Sequence, residues 1–97
     1  MLKELCTLCG ASGYEAPVIE YICRFLKENE IPYDVDKLGN IIAFSGKNPH
    51  KLGICAHMDE VAFGVRGITS DGMIKFAPIG GILEKILPSS CVQIGEN

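Results

Sequence analysis

Tryptophan is absent from the 97 residues, and three Tyr and four Phe are the whole aromatic complement. The chain therefore has few surfaces on which bases could stack. Nine Lys and Arg spread among twelve Asp and Glu give a net charge of -3, with no basic stripe for a phosphate backbone, so nucleic acid is not an expected partner. No apolar run approaches the roughly 20 residues needed to span a bilayer, so a membrane is not an expected partner either. Lys3 and Glu4 stand where a signal peptide would place a basic region and then an apolar one, and a cytoplasmic location is the expectation. A length of 97 residues fits one small domain but is short for an enzyme that must also build a cleft. The hydrophobic fraction of 47% and charged fraction of 22% are those of a folding chain rather than a disordered one.

A second pair of closely spaced cysteines is also lacking. Cys6 and Cys9 form one C-x-x-C, whereas a structural zinc takes four ligands, usually from two such pairs. A thioredoxin-like motif would follow a strand, and this one lies in a helical pattern. Five cysteines, an odd number, in a chain without an export signal favour reduced thiols over a disulfide framework. All five, including Cys23, Cys55 and Cys91, read as small residues facing a core.

What is present is a sequence of periodic segments. Leu2, Leu5, Cys6 and Cys9 recur at helical spacing, which predicts a short helix over residues 2–9 ending at Gly10. "GASGYE" connects it to a second helix. Ser12 and Glu15 look like a capping box, but a helix capped at Ser12 would carry Pro17 beyond its first turn, so the start is placed near Tyr14. Val18, Ile19, Ile22, Phe25 and Leu26 form its apolar face and Glu20, Arg24, Lys27 and Glu28 the opposite one, the pattern of a helix packed on a sheet. After Asn29 the period shortens. "YDVD" alternates, "KLGN" is turn chemistry, "NIIAFSG" is rich in strand formers, and "KNPH" is a second turn before "KLGICAH". "VAFGVRGI" and "MIKFAPI" flank Ser70, Asp71 and Gly72, a strong hairpin signal. One more short strand is expected within "ILPSSCVQIGEN", where the sequence reads as cut off.

The candidate chemistry lies at residues 55–60. If "LGICA" is a strand, Cys55, His57 and Asp59 share one face and Ala56, Met58 and Glu60 the other. Functional groups in open α/β sheets gather beyond the carboxyl ends of strands, which is where residues 52–56 would deliver His57. A neutral imidazole is the commonest ligand of a transition metal, and a carboxylate commonly fixes its second nitrogen. On spacing alone, however, a strand end meeting water is the commoner explanation, because a catalytic zinc needs three protein ligands and this stretch offers one. His50, in the "KNPHK" turn, reads as exposed.

The motifs "GASGYE", "VDKLGNIIA", "ICAHMDEVAFGV", "SDGMIKFAPIGG" and "ILP", in this order and spacing, resemble the glutamyl aminopeptidase family, which also includes the tetrahedral or deblocking aminopeptidases and relatives described as cellulases. The resemblance runs from about residue 2 to residue 94. It implies an α/β fold: the N-terminal part of a zinc-aminopeptidase-like (phosphorylase/hydrolase-like) α/β/α domain, running into a small inserted β domain. Residues 1–62 would belong to the catalytic domain and residues 63–97 to the beginning of the insertion. It further implies two divalent metal ions, zinc or cobalt, peptides as substrate, and a homo-oligomer when full length. By the match to "AHMDE", His57 would be a metal ligand and Asp59 the catalytic-site carboxylate that orients it, while Glu60 is given no role. The bridging aspartate, the glutamate general base, the other carboxylate ligands and the second histidine of the family have no counterpart in the chain. The expectation is therefore an N-terminal fragment of a metallo-aminopeptidase that is inactive alone. Two alternatives stand beside it: a truncated, non-catalytic homologue that binds a partner, and the same scaffold acting on a glucan. The last is disfavoured because glycosidases usually need two carboxylates flanking the sugar.

Overall fold

A computed structural model describes residues 1–47 and 52–95; His50 and most of the "KNPH" turn lie outside the described residues. The elements are helices α1 (Leu2–Leu5) and α2 (Ala16–Glu28), strands β1 (Tyr33–Val35), β2 (Ile41–Ala43), β3 (Ala62–Ile68) and β4 (Ile74–Ile79), and a 3-10 turn at Glu84–Ile86. The described residues form a small α/β piece with two separate two-stranded antiparallel sheets, β1–β2 and β3–β4. It divides into two compact units, Met1–Gly10 with Tyr14–Asp59, and Ala11–Gly13 with Glu60–Asn97.

In the first unit α1 is half the expected length. Thr7 ends it: its amide bonds the Glu4 carbonyl at 3.0 Å, a tighter bond than the helical one, and its hydroxyl donates to the same oxygen at 2.8 Å. Helix α2 begins two residues later than expected, with Pro17 in the first turn, where its missing N–H has no intrahelical role. The Glu15 carbonyl accepts from both Val18 and Ile19 at 3.0 Å. The apolar face is as read: Val18 and Leu26 are buried, and Ile19, Ile22 and Phe25 are half-buried. The helix ends in a paired-bond cap, with Glu30 N–H to the Lys27 carbonyl at 3.2 Å and Ile31 N–H to the Leu26 carbonyl at 2.9 Å. That cap holds Glu30 at φ 54, a conformation disfavoured for a residue with a Cβ. Replacing the exposed Glu30 by Gly should therefore stabilise the chain by about 1 kcal/mol in urea unfolding.

The β1–β2 hairpin is closed by one carboxylate. Asp36 Oδ1 accepts from Leu38 N–H at 2.8 Å and Asn40 N–H at 2.9 Å, and its Oδ2 accepts from Asn40 Nδ2 at 2.7 Å. Gly39 turns the chain at φ 86, and a Cβ there would meet Ile19 Cδ1 of α2 at 2.9 Å. The Asn40 side chain, and then the backbone amides of the turn, hold the Asp36 carboxyl below the usual carboxylate range. A depressed folded pKa means stability that is present above the unfolded value and lost as pH falls through the folded one. The Asn40 amide resonances should thus keep their native positions until the pH drops below the ordinary aspartate range, and Asp36→Asn should abolish that acid-dependent step.

Residues 52–59 carry no strand, contrary to the sequence reading. Leu52 and Ile54 are 89% and 88% exposed. A strand buried on both faces needs neighbours on both sides, and the β1–β2 hairpin does not extend to receive it. The core reading of the thiols changes with it: Cys6, Cys55 and Cys91 are exposed, and only Cys9 and Cys23 are half-buried, all five being free.

In the second unit, β3 and β4 pair from Ala62↔Ile79 to Ile68↔Ile74, with an irregularity between Val65 and Gly67 that accommodates Arg66 as the extra residue of a bulge. Asp71 and Gly72 occupy the turn as expected, Gly72 at φ 84. Thr69 organises it, its hydroxyl bonding the Asp71 carboxylate and accepting from Met73 N–H at 2.9 Å. The Thr69 hydroxyl is also the main reason the Asp71 carboxyl sits low. Phe63 and Phe76 meet edge to face at 4.7 Å between ring centres. With Pro78, Ile82, Glu84 and Leu87 they line an open hollow of about 300 Å³. The strand expected within "ILPSSCVQIGEN" is absent among the described residues; a 3-10 turn at Glu84–Ile86 leads into this stretch, and the Ser90 hydroxyl donates to the Ile86 carbonyl at 2.6 Å. Ser90 N–H also bonds the Leu87 carbonyl, so both the amide and the hydroxyl of Ser90 are satisfied by nearby residues.

Candidate functional site

His57 and Asp59 meet through contacts of the imidazole with the residue two positions on, in a segment that carries no strand, rather than by strand alternation. The His57 Nδ1 lies 3.0 Å from the Asp59 carbonyl oxygen and 3.2 Å from Asp59 Oδ1. Both partners are acceptors when the carboxylate is ionised, so a neutral imidazole here carries its proton on Nδ1. That leaves the Nε2 lone pair open. The His57 side chain is 87% exposed and that of Asp59 42% exposed, so Nε2 faces solvent while Nδ1 is engaged.

The segment is held from beneath by Gly10, which is buried. A Cβ at Gly10 would lie 2.9 Å from Val18 Cγ2 and 3.4 Å from the Met58 carbonyl oxygen. In the sequence Gly10 reads as a helix stop and the first residue of the "GASGYE" connection. A glycine directly preceding "ASGYE" was a signal of close backbone approach as much as of termination. Glu60 is exposed, and its backbone makes an isolated parallel bridge with Ala11. Cys55, two residues before His57, is exposed.

As a metal site this is one position. Among the described residues no group of three or more His, Cys, Asp or Glu lies together in a way that could hold an ion. The donor chemistry of His57 and its Asp59 partner suits a single ligand of a larger set. Among the described residues no helix is long and apolar enough to cross a membrane.

Comparison with known proteins agrees with the motifs. The chain is 37% identical over 89 residues to lysyl aminopeptidase of Pyrococcus furiosus, covering 90% of the chain and 25% of that protein. It is 35% identical over 83 residues to glutamyl aminopeptidase of Lactococcus lactis subsp. cremoris, covering 82% of the chain and 23% of that protein. The chain thus spans about a quarter of the length of the curated relatives it matches. No solved structure matches it. The sequence profile of the M42 glutamyl aminopeptidase family matches residues 39–97, which include His57, Asp59 and the β3–β4 hairpin, and the chain belongs to that family.

Proposed function

We propose that these residues are the N-terminal part of a metal-dependent aminopeptidase that removes residues from the N-termini of peptides. The observation that carries this reading is the His57–Asp59 geometry, in which Nδ1 is held by two oxygens and Nε2 is left free. In it His57 is a metal ligand, and Asp59 fixes the ring's orientation and tautomer. Residues 1–62 belong to the catalytic domain and residues 63–97 begin an inserted β domain, a division supported by the separate β3–β4 unit. Divalent ions such as zinc or cobalt, when bound, polarise a carbonyl and acidify water. The chain's own contribution is to hold one imidazole, proton on Nδ1, with its other nitrogen presented outward. Further ligands and a general base belong to segments outside these residues, and the assembled protein works in the cytoplasm as a homo-oligomer.

The exposed apolar side chains support the fragment reading. Leu38, Leu52 and Ile54 are each nearly nine-tenths exposed, as expected of surfaces that further chain covers. They also favour a second reading, a non-catalytic homologue that binds a partner through them. The two are separated by grafting. Placed in the matching quarter of a full-length relative, these residues should support hydrolysis of aminoacyl anilides with about two bound metal ions per chain, the number the family resemblance implies. A graft that folds and assembles but neither binds metal nor turns over would leave the binding-module reading standing. The chain on its own should do neither. Stoichiometric metal with turnover in the isolated chain would show that a neighbouring copy completes the site.

A further inference from the structure

Gly10 is not in the left-handed backbone region, so conformational freedom does not explain a glycine there. Space does. A Cβ at 2.9 Å from Val18 Cγ2 cannot be accommodated without movement, and the Met58 carbonyl oxygen at 3.4 Å is already in van der Waals contact, leaving no slack toward it. Val18 cannot readily yield, because at 5% exposure it is one of the two most buried apolar side chains among the described residues.

Met58 is the residue between His57 and Asp59. The carbonyl that abuts Gly10 therefore belongs to the backbone that sets the spacing of the pair. The two contacts on Nδ1, at 3.0 and 3.2 Å, have little slack: a few tenths of an ångström carries the longer one out of hydrogen-bond range. On these observations we infer that Gly10 is a positioning residue for the His57–Asp59 pair, its missing side chain letting the Met58 backbone close on α2 at Val18 and so fixing which nitrogen of His57 is free. The importance of that nitrogen rests on the proposed metal role; the positioning does not. Gly53, on the same segment as His57, is the natural control, since nothing lies within 4 Å of a Cβ built there and its φ is not positive.

The test reads the ring nitrogens of His57 by 15N NMR on the isotopically labelled chain, at one alkaline pH where the imidazole is neutral. Wild type should show the proton on Nδ1. Gly10→Ala should shift the ring toward the Nε2–H form, Gly53→Ala should match wild type, and Gly10→Ala with Val18→Ala, which removes the tight contact, should return toward wild type. Loss of general stability would not by itself change the tautomer in molecules that keep their α2 signals. A wild-type ring without Nδ1–H, a folded Gly10→Ala with wild-type nitrogens, or a Gly53→Ala shift as large as that of Gly10→Ala overturns the inference. Should Gly10→Ala alone fail to fold, the double variant replaces it: wild-type nitrogens support the inference, and a displaced ring despite the relieved contact overturns it. Zinc chloride added to wild type separates the two ideas. If zinc leaves the His57 Nε2 signal unmoved, the metal reading fails while the Gly10 comparison stands.

Discussion

Leu26→Ala should remove the cooperative unfolding of the first unit. Leu26 and Val18 are the two buried apolar side chains among the described residues, so the apolar support of α2 is concentrated in very few atoms. Truncating a buried leucine costs about 2–5 kcal/mol through lost transfer energy and the cavity left behind. A small unit has only a few kcal/mol in all. The Leu26 backbone also anchors the helix end, its carbonyl accepting from Ile31 N–H, so loosening the side chain loosens the cap that leads into β1. The expected result is loss of the α2 circular-dichroism signal and of protection at its amides. The Thr69–Met73 turn signals of the β3–β4 unit should be retained, because their bonds are local to that hairpin. Leu38→Ala, at a side chain 88% exposed, should change stability by no more than about 0.5 kcal/mol. A Leu26→Ala loss as small as that of Leu38→Ala would mean that α2 is held by something other than its buried face.

What the sequence disclosed follows from the range of the forces involved. The apolar face of α2 and the Asp71–Gly72 turn depend on residues a few positions apart, and both are where the pattern put them. The ends of α1 and α2 depend on single bonds, at Thr7 and at Pro17, and moved by a few residues. Residues 52–56 fail for a different reason. Their apolar run is that of a strand flanked by others, and such a strand exists only when its neighbours do. Cys55, Leu52 and Ile54 are exposed as a consequence. The pairing of His57 with Asp59 was legible as residue types at a spacing, and the motifs supplied the family. The bond to the Asp59 carbonyl oxygen was not legible, since alternation along a strand would have kept that oxygen away from the ring. A glycine at position 10 signals a close approach, but its partner, Met58, was not legible, since it lies far away in sequence and leaves no local periodicity.

That backbone bond decides how unequal the two site substitutions should be. In the graft into a full-length relative, His57→Ala removes the only imidazole among the described residues, which together hold no group of three or more His, Cys, Asp or Glu that could take an ion. Activity should fall by far more than the 10–100-fold typical of losing an outer partner of a metal ligand, and added zinc or cobalt should not restore it. Asp59→Asn leaves the position-59 backbone oxygen 3.0 Å from Nδ1 in the parent geometry, so the Nδ1–H tautomer keeps that acceptor, while the carboxylate at 3.2 Å becomes a neutral amide whose oxygen accepts more weakly. Its effect should lie within about 10–100-fold, appear mainly as weaker metal binding, and be largely recovered at high metal concentration. Measured as kcat at saturating metal, the two variants should therefore separate, Asp59→Asn near the parent and His57→Ala near background. If Asp59→Asn is as inactive as His57→Ala at every metal concentration, the carboxylate does more than orient the ring. If His57→Ala keeps activity within about tenfold of the parent, a span smaller than the loss of even an outer partner, His57 is not a ligand and the proposed function loses its supporting residue.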